Sequence, residues 1–231
     1  RMSLTVRFWG VRGSIPTPQA ENLGFGGNTP CLEVRARDGS LLVFDAGTGA
    51  RRLGLRLAGD KSGRVRLFLT HFHWDHIQGL PFFAPLYAAG WELDLYSGFP
   101  AASMEQLLRS QMARPCFPAA DAVRAHTHYH AMSSEGTRFG ELIVRPFPLH
   151  HPGGATGYRV ESPDACVVYA CDHEHGDPPA DLALRRAAEG ADVLIYDAMY
   201  TPAEYEQKRG WGHSTWLEAA RVARDAGAGR L

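Results

Sequence analysis

The segment Thr70-His71-Phe72-His73-Trp74-Asp75-His76 gathers three imidazoles and a carboxylate into one short stretch. The apolar run Val65–Leu69 before it reads as a buried strand, and a helix is expected to begin near Asp75. In extended backbone His71 and His73 project to the same side, because side chains alternate along a strand. Asp75 and His76 follow where the chain turns, so adjacent residues can aim at a second centre. Two imidazoles for one ion, and a carboxylate with an imidazole for its neighbour, suit zinc-type cations that take nitrogen and oxygen ligands. Two such cations close together bring the pKa of a bridging water toward neutrality and stabilise charge on the attacked centre. The segment reads as hydrolytic metal chemistry in preference to a solvated histidine-rich loop.

Elements that could position this segment are legible around it. Leu4–Trp9 and Cys31–Ala36 alternate in polarity, whereas Leu41–Phe44 and Val65–Thr70 are continuous buried-type runs. Turn-rich stretches (Gly10–Pro18, Gly24–Pro30 and Asp45–Gly49) separate them. Helices are expected over Asp75–Ala89 and Ala102–Ala113. A second strand series follows at Ala125–Ala131, Leu142–Leu149, Gly157–Val160 and Cys166–Ala170. Then come a helix near Leu182–Glu189, the strand Val193–Tyr196 and a final helix Trp216–Ala226, with Thr215 and Glu218 as its capping box. Strand blocks with interspersed helices predict an α/β protein whose sheets pack on each other with helices outside.

Composition narrows the setting. The 231 residues carry 24 Lys+Arg against 25 Asp+Glu, a formal net charge of −1, with 45% hydrophobic and 21% charged residues. These values fit one globular domain, 1–231, and exclude a disordered tail, a fibre or a disulfide scaffold. Near-neutral charge weighs against a large basic field for nucleic acid. Leu80–Trp91, broken by Pro81 and Pro85, is too short to span a bilayer and is read as a core-facing helix. Cys31, Cys116, Cys166 and Cys171 lack C-x-x-C spacing and are expected to be reduced and mostly buried. Arg1 before Met2 looks like a cloning remnant with no leader after it, and a cytoplasmic protein is expected.

The ordered set of motifs resembles the metallo-β-lactamase superfamily, in particular its ribonuclease Z-like and cyclic-nucleotide phosphodiesterase branch. His71-Phe72-His73-Trp74-Asp75-His76 is similar to the superfamily signature, and Phe44–Gly49 to its strand followed by a D-x-G turn, where Asp45 buttresses the histidine loop. His151-Pro152-Gly153-Gly154, with Gly157-Tyr158 beyond, resembles the third-histidine motif. Val167–Asp172 resembles the strand that ends in a bridging aspartate, and Gly212-His213-Ser214-Thr215 the catalytic histidine motif of ribonuclease Z-like enzymes. Trp9–Pro16 and Gly26–Cys31 look like a bacterial subfamily of that branch.

The resemblance implies a four-layer αββα sandwich of two mixed sheets and two divalent metal ions, with zinc favoured and manganese the other option. It assigns His71, His73 and His151 to site one, Asp75 and His76 to site two, and Asp172 to bridge both. His150 competes with His151, and the spacing to Gly157-Tyr158 favours His151. A seventh ligand, a histidine on a strand beyond Leu231, belongs to the pattern. It is expected to lie outside this chain, with a partner chain or His175 as the other ways to fill the place, and the second site is expected to be more weakly occupied in a chain ending there. The implied activity is hydrolysis of small or cyclic nucleotide phosphodiesters by a homodimer. Asp75 would orient the water, His213 would protonate the leaving alkoxide, and Asp197 either holds the tautomer of His213 or is a plain strand-end residue.

Weaker signals remain open at this level. His126, His128 and His130 alternate with Thr127 and Tyr129 and read as a solvated strand face with no acid nearby, in preference to a further metal site. His173 and His175 either line the mouth of the pocket or sit in a loop at a sheet edge. Arg12 could grip a phosphate bidentately or form a surface ion pair. Phe82 and Phe83 read as core or wall residues. Competing functions are a lactone, thioester or β-lactam hydrolase, a transfer-RNA 3′-processing endoribonuclease, a mononuclear-iron dioxygenase of the same fold, and a non-catalytic binding protein.

Overall fold

Leu41–Phe44 and Val65–Leu69, apolar except for Arg66, lie side by side in parallel, as mostly apolar strands of a covered parallel sheet do. The computed structural model describes residues 4–118 and 122–231, so the Arg1-Met2 boundary lies outside the described residues. Two compact units divide the chain: residues 5–35 with 39–131, and residues 1–4 and 36–38 with 132–231.

The N-terminal unit holds a mixed sheet of β1 (Leu4–Gly10), β2 (Cys31–Ala36), β3 (Leu41–Phe44), β4 (Gly63–Leu69), β5 (Trp91–Ser97) and β6 (His126–Ala131), in that order across the sheet. β2 and β3 are antiparallel, and the pairs β3–β4, β4–β5 and β5–β6 are parallel. One face of the sheet packs into a core of Val43, Val65, Leu67, Leu69, Leu93 and Leu95. Against it lies α1 (Gly49–Leu57), whose Ala50, Leu53, Gly54 and Leu57 are buried while Arg51, Arg52 and Arg56 are not. That i, i+3, i+4, i+7 stripe is the signature of a helix with one apolar side; α1 begins at the edge of what the sequence reads only as a turn. α3 (Ala101–Gln111) matches its expected helix, with Met104 and Leu108 turned inward.

The expected helix Asp75–Ala89 is corrected. α2 covers only Trp74–Ile77 and is followed by 3-10 turns at Leu80–Phe82 and Ala84–Tyr87. Pro81 and Pro85 sit in the opening positions of those turns, where the missing N–H cannot extend an α-helix. Leu80, Leu86 and Phe83 still reach the core, whereas Phe82 is exposed, so the core-or-wall reading holds for Phe83 alone.

The C-terminal unit holds the second mixed sheet, β11-β10-β9-β8-β7, built from β7 (Thr137–Phe139), β8 (Leu142–Leu149), β9 (Ala155–Ser162), β10 (Ala165–Ala170) and β11 (Val193–Tyr196). Only β10 and β11 are parallel; the other pairs are antiparallel. Val168, Ala170, Leu184, Leu194 and Val222 form its core with α4 (Pro178–Ala188) and α6 (Trp216–Asp225). Thr215 caps α6 by accepting from the Glu218 N–H at 3.1 Å. The reciprocal capping box is instead at α5 (Pro202–Tyr205), between Thr201 and Glu204; the Glu218 carboxylate turns to Arg185 at 3.0 Å. Among the described residues no helix is long and apolar enough to cross a membrane. The four cysteines are free, with Cys31 and Cys166 buried, Cys171 half-buried and Cys116 exposed.

Candidate metal centre

In the N-terminal unit the donors sit where β4 ends. Thr70 and His71 are buried, and His73 caps α2 in extended backbone (φ −62°, ψ 150°) before Asp75 and His76 enter the helix. The rings are adjacent: His71 and His73 have centroids 4.4 Å apart, and His71 and His76 4.2 Å apart. The His76 Nε2 lies 3.4 Å from Asp75 Oδ2.

What aims these rings is Asp45, fully buried just past β3 with left-handed backbone (φ 59°), a conformation aspartate tolerates better than most side chains. Its carboxylate accepts from the Thr70 N–H (2.9 Å), from the Thr70 hydroxyl (3.0 Å) and from His76 Nδ1 (2.9 Å). The Thr70 hydroxyl also meets His71 Nδ1 at 3.0 Å. With their Nδ1 edges held in this way, His71 and His76 have Nε2 as the atom for an ion, the arrangement by which outer carboxylates fix ligand tautomers. Asp75 Oδ2 accepts the Ser14 N–H at 2.8 Å, with Ser14 itself left-handed (φ 66°). The two chain segments touch through glycines: a Cβ on Gly79 would strike the Gly47 carbonyl, and one on Gly47 the Asp75 carbonyl.

In the C-terminal unit the donors come from four separate places. His151 follows β8, Asp172 follows β10, Asp197 follows β11, and His213 precedes α6. His151 is buried while His150 is exposed, which agrees with His151 as the inward residue. His151 Nδ1 donates to the Gly212 carbonyl at 2.7 Å, and its Nε2 lies 3.6 Å from Asp172 Oδ2. Asp172 is left-handed (φ 54°), like Asp45. His213 Nδ1 is 2.7 Å from Asp197 Oδ2, and its ring centroid is 5.2 Å from that of His151. Asp197 is held in turn by the N–H groups of Met199 (3.0 Å) and His173 (3.3 Å). Asp172, Asp197 and His213 each offer one atom within 4.8 Å of the others.

Several weaker readings change. His173 is almost fully buried, its Nε2 on Asp181 at 3.0 Å and its Nδ1 accepting the His150 N–H, so it lines no mouth. Burial pushes its pKa below the ordinary imidazole range, against the opposing pull of Asp181. His175 is half-buried and packs on Ser214 and Tyr205. The row His126, His128, His130 does have acids beside it: β5 places Glu92 opposite His126 and Asp94 opposite His128, and His130 Nε2 is 3.5 Å from Asp94. Sequence spacing could not show this, because the acids arrive through strand pairing. Arg12 is exposed. Sequence reasoning assigned no role to Thr70, Ser14 or Glu174; the first stood in plain view beside His71.

Imidazoles and carboxylates, with no thiolate among the assigned donors, fit borderline divalent cations. Outer partners hold the rings of His71, His76 and His151 from behind, as ligating imidazoles require. The chain belongs to the beta-lactamase superfamily, whose domain matches residues 41–231, and is a metal-dependent hydrolase of that class. It is 30% identical, over the whole chain and 85% of the relative, to a protein named ribonuclease Z from Haloarcula marismortui. Its fold is that of the metallo-β-lactamase fold protein YhfI from Bacillus subtilis (TM-score 0.72, 21% identity, 99% of this chain and 84% of that one). It also matches a diphosphatase from the PhnP family (TM-score 0.70, 20% identity, 98% and 84% of the two chains).

Proposed function

We propose that this chain is a phosphodiesterase whose ligands for two divalent ions, zinc by preference, are His71, His73, Asp75, His76, His151 and Asp172. The observation that carries this reading is the His213–Asp197 pair, 2.7 Å apart beside His151. A carboxylate on Nδ1 leaves Nε2 to exchange a proton, and a diester needs such a proton because its leaving group is an alkoxide. A lactone or β-lactam hydrolase has less use for that imidazole.

When bound, the ions supply Lewis acidity and a water that ionises near neutral pH. The chain does the rest. His71, His76 and His151 present Nε2 from rings held at Nδ1. Asp75, fixed by the Ser14 N–H, orients the attacking water. His213 protonates the departing oxygen from Nε2, and Asp197 steadies the imidazolium that precedes this transfer.

The substrate expected from the sequence is a small or cyclic nucleotide. A second reading, cleavage of an RNA phosphodiester, is supported by the relative named ribonuclease Z, and that relative gives no support to inferring a poor nucleic-acid substrate from neutral net charge. The deciding experiment offers the zinc- or manganese-loaded protein bis-p-nitrophenyl phosphate, cyclic mononucleotides, a transfer-RNA precursor and a lactone. Turnover of diesters is expected, and the preferred diester selects the substrate reading. Lactone turnover without diester turnover would sink the phosphodiesterase reading.

A further inference from the structure

Glu174 has a role that neither the reading of His213 nor that of the donors contains. It lies two residues past Asp172 and is almost fully buried. Its Oε1 accepts the Gly210 N–H (2.7 Å) and the Tyr205 hydroxyl (3.0 Å), and its Oε2 accepts the Gly212 N–H (2.7 Å). Gly210 and Gly212 both have left-handed backbone (φ 83° and 85°). Their two N–H groups face the same side, while the Trp211 N–H between them goes to the Lys208 carbonyl, and backbone N–H groups gathered in this way make a seat for an anion. Here the anion is the protein's own carboxylate.

What the seat fixes is the next carbonyl and the next side chain. The Gly212 carbonyl takes the His151 Nδ1 proton at 2.7 Å, and a Cβ on Gly212 would strike the His151 ring. His213, one residue further on, pairs with Asp197. The same two loops are sewn again by Ser214, whose hydroxyl donates to the His173 carbonyl at 2.6 Å and accepts the His175 N–H at 3.1 Å.

We infer that Glu174 is a positioning residue that orients His151 through the Gly212 carbonyl and sets the placement of His213, tying both to the loop that carries Asp172. The inference rests on reading His151 as a ligand and His213 as an acid. The donations from Gly210, Gly212 and Tyr205 commit both oxygens of Glu174 to the loop.

The test compares Glu174→Gln and Tyr205→Phe with the unaltered protein. The amide of Glu174→Gln keeps the shape but places an N–H₂ against one glycine N–H. In metal-free protein, the downfield imidazole Nδ1–H resonances of His151 and His213, assigned by loss in single alanine variants, are expected to shift in Glu174→Gln. Zinc affinity is expected to fall by about 10- to 100-fold, the usual cost of losing an outer partner. With metal saturating, kcat on bis-p-nitrophenyl phosphate should fall while KM stays within about two-fold, because the substrate does not touch Glu174. Tyr205→Phe removes one of the three bonds and should shift the same quantities less, which keeps the test alive if Glu174→Gln folds poorly. Unchanged resonances and unchanged zinc affinity in both variants would overturn the inference. If the unaltered protein takes up no metal and cleaves no diester, the functional reading fails, and the imidazole resonances still decide for or against Glu174.

Discussion

The two donor sets reach similar chemistry by opposite routes. In the N-terminal unit His71, His73, Asp75 and His76 come from one strand-to-helix junction, and one buried carboxylate, Asp45, holds Thr70 and His76 together. In the C-terminal unit His151, Asp172, Asp197 and His213 come from four strand ends or loops, and hydrogen bonds across those loops substitute for proximity in sequence. A local set is placed by backbone geometry that forms with its own strand. The local set also leans on Asp45 and on the Ser14 N–H for its aim, whereas the donors of the dispersed set meet only through bonds between loops.

The largest test of this contrast is His71→Ala. Removing a ring from the local set should leave no retained metal by elemental analysis and bring diester hydrolysis to background. His213→Ala should leave metal content unchanged and slow bis-p-nitrophenyl phosphate hydrolysis by about 10²- to 10⁴-fold, the usual range for a lost general acid. Loss of metal in that variant would turn His213 from an acid into a ligand. Gly212→Ala should strain a left-handed position at a cost of about 1–3 kcal/mol and push on the His151 ring. Denaturant titration should show that cost, while the imidazole resonances of His71 and His76 stay in place; movement of both sets would show that the dispersed one is not independently held. The smallest effect concerns Cys166, whose thiol burial pushes up to about 11 from an ordinary 9.0. Between those values the unfolded chain releases a proton that the native chain keeps, so stability is full below about pH 9 and falls as pH rises. Cys166→Ala should flatten that alkaline decline by on the order of 1 kcal/mol once solvent screening is allowed for, as read from unfolding at pH 8 and pH 10.5.

The same contrast explains what was legible in the sequence. The His71–His76 junction could be read because its candidate donors, strand and turn are contiguous, and Leu142–Leu149 and Val193–Tyr196 were legible as strands to the residue. His151, Asp172 and His213 were found only through a family likeness, since nothing local says that His151 must meet Gly212. Glu174 was passed over for the same reason: a glutamate in a polar loop has no periodicity, and its seat exists only when Gly210 and Gly212 turn their N–H groups toward it. The helix drawn over Asp75–Ala89 failed because apolar spacing outweighed Pro81 and Pro85 in the reading, whereas in the chain the missing N–H groups decided. The acids beside His128 and His130 stayed hidden because strand register, not sequence distance, brings Asp94 there.

Two of the parallel strand pairs, β3–β4 and β10–β11, carry aspartates at a carboxyl end: Asp45 after β3, and Asp172 and Asp197 after β10 and β11. Each of β3 and β10 is entered from a tight reversal at the other end, residues 37–40 between β2 and β3 and residues 163–164 between β9 and β10. Labelling and engineering can therefore be kept apart from chemistry: a dye, an epitope or a surface tether grafted into either reversal sits a full strand length away from the aspartate on the same strand.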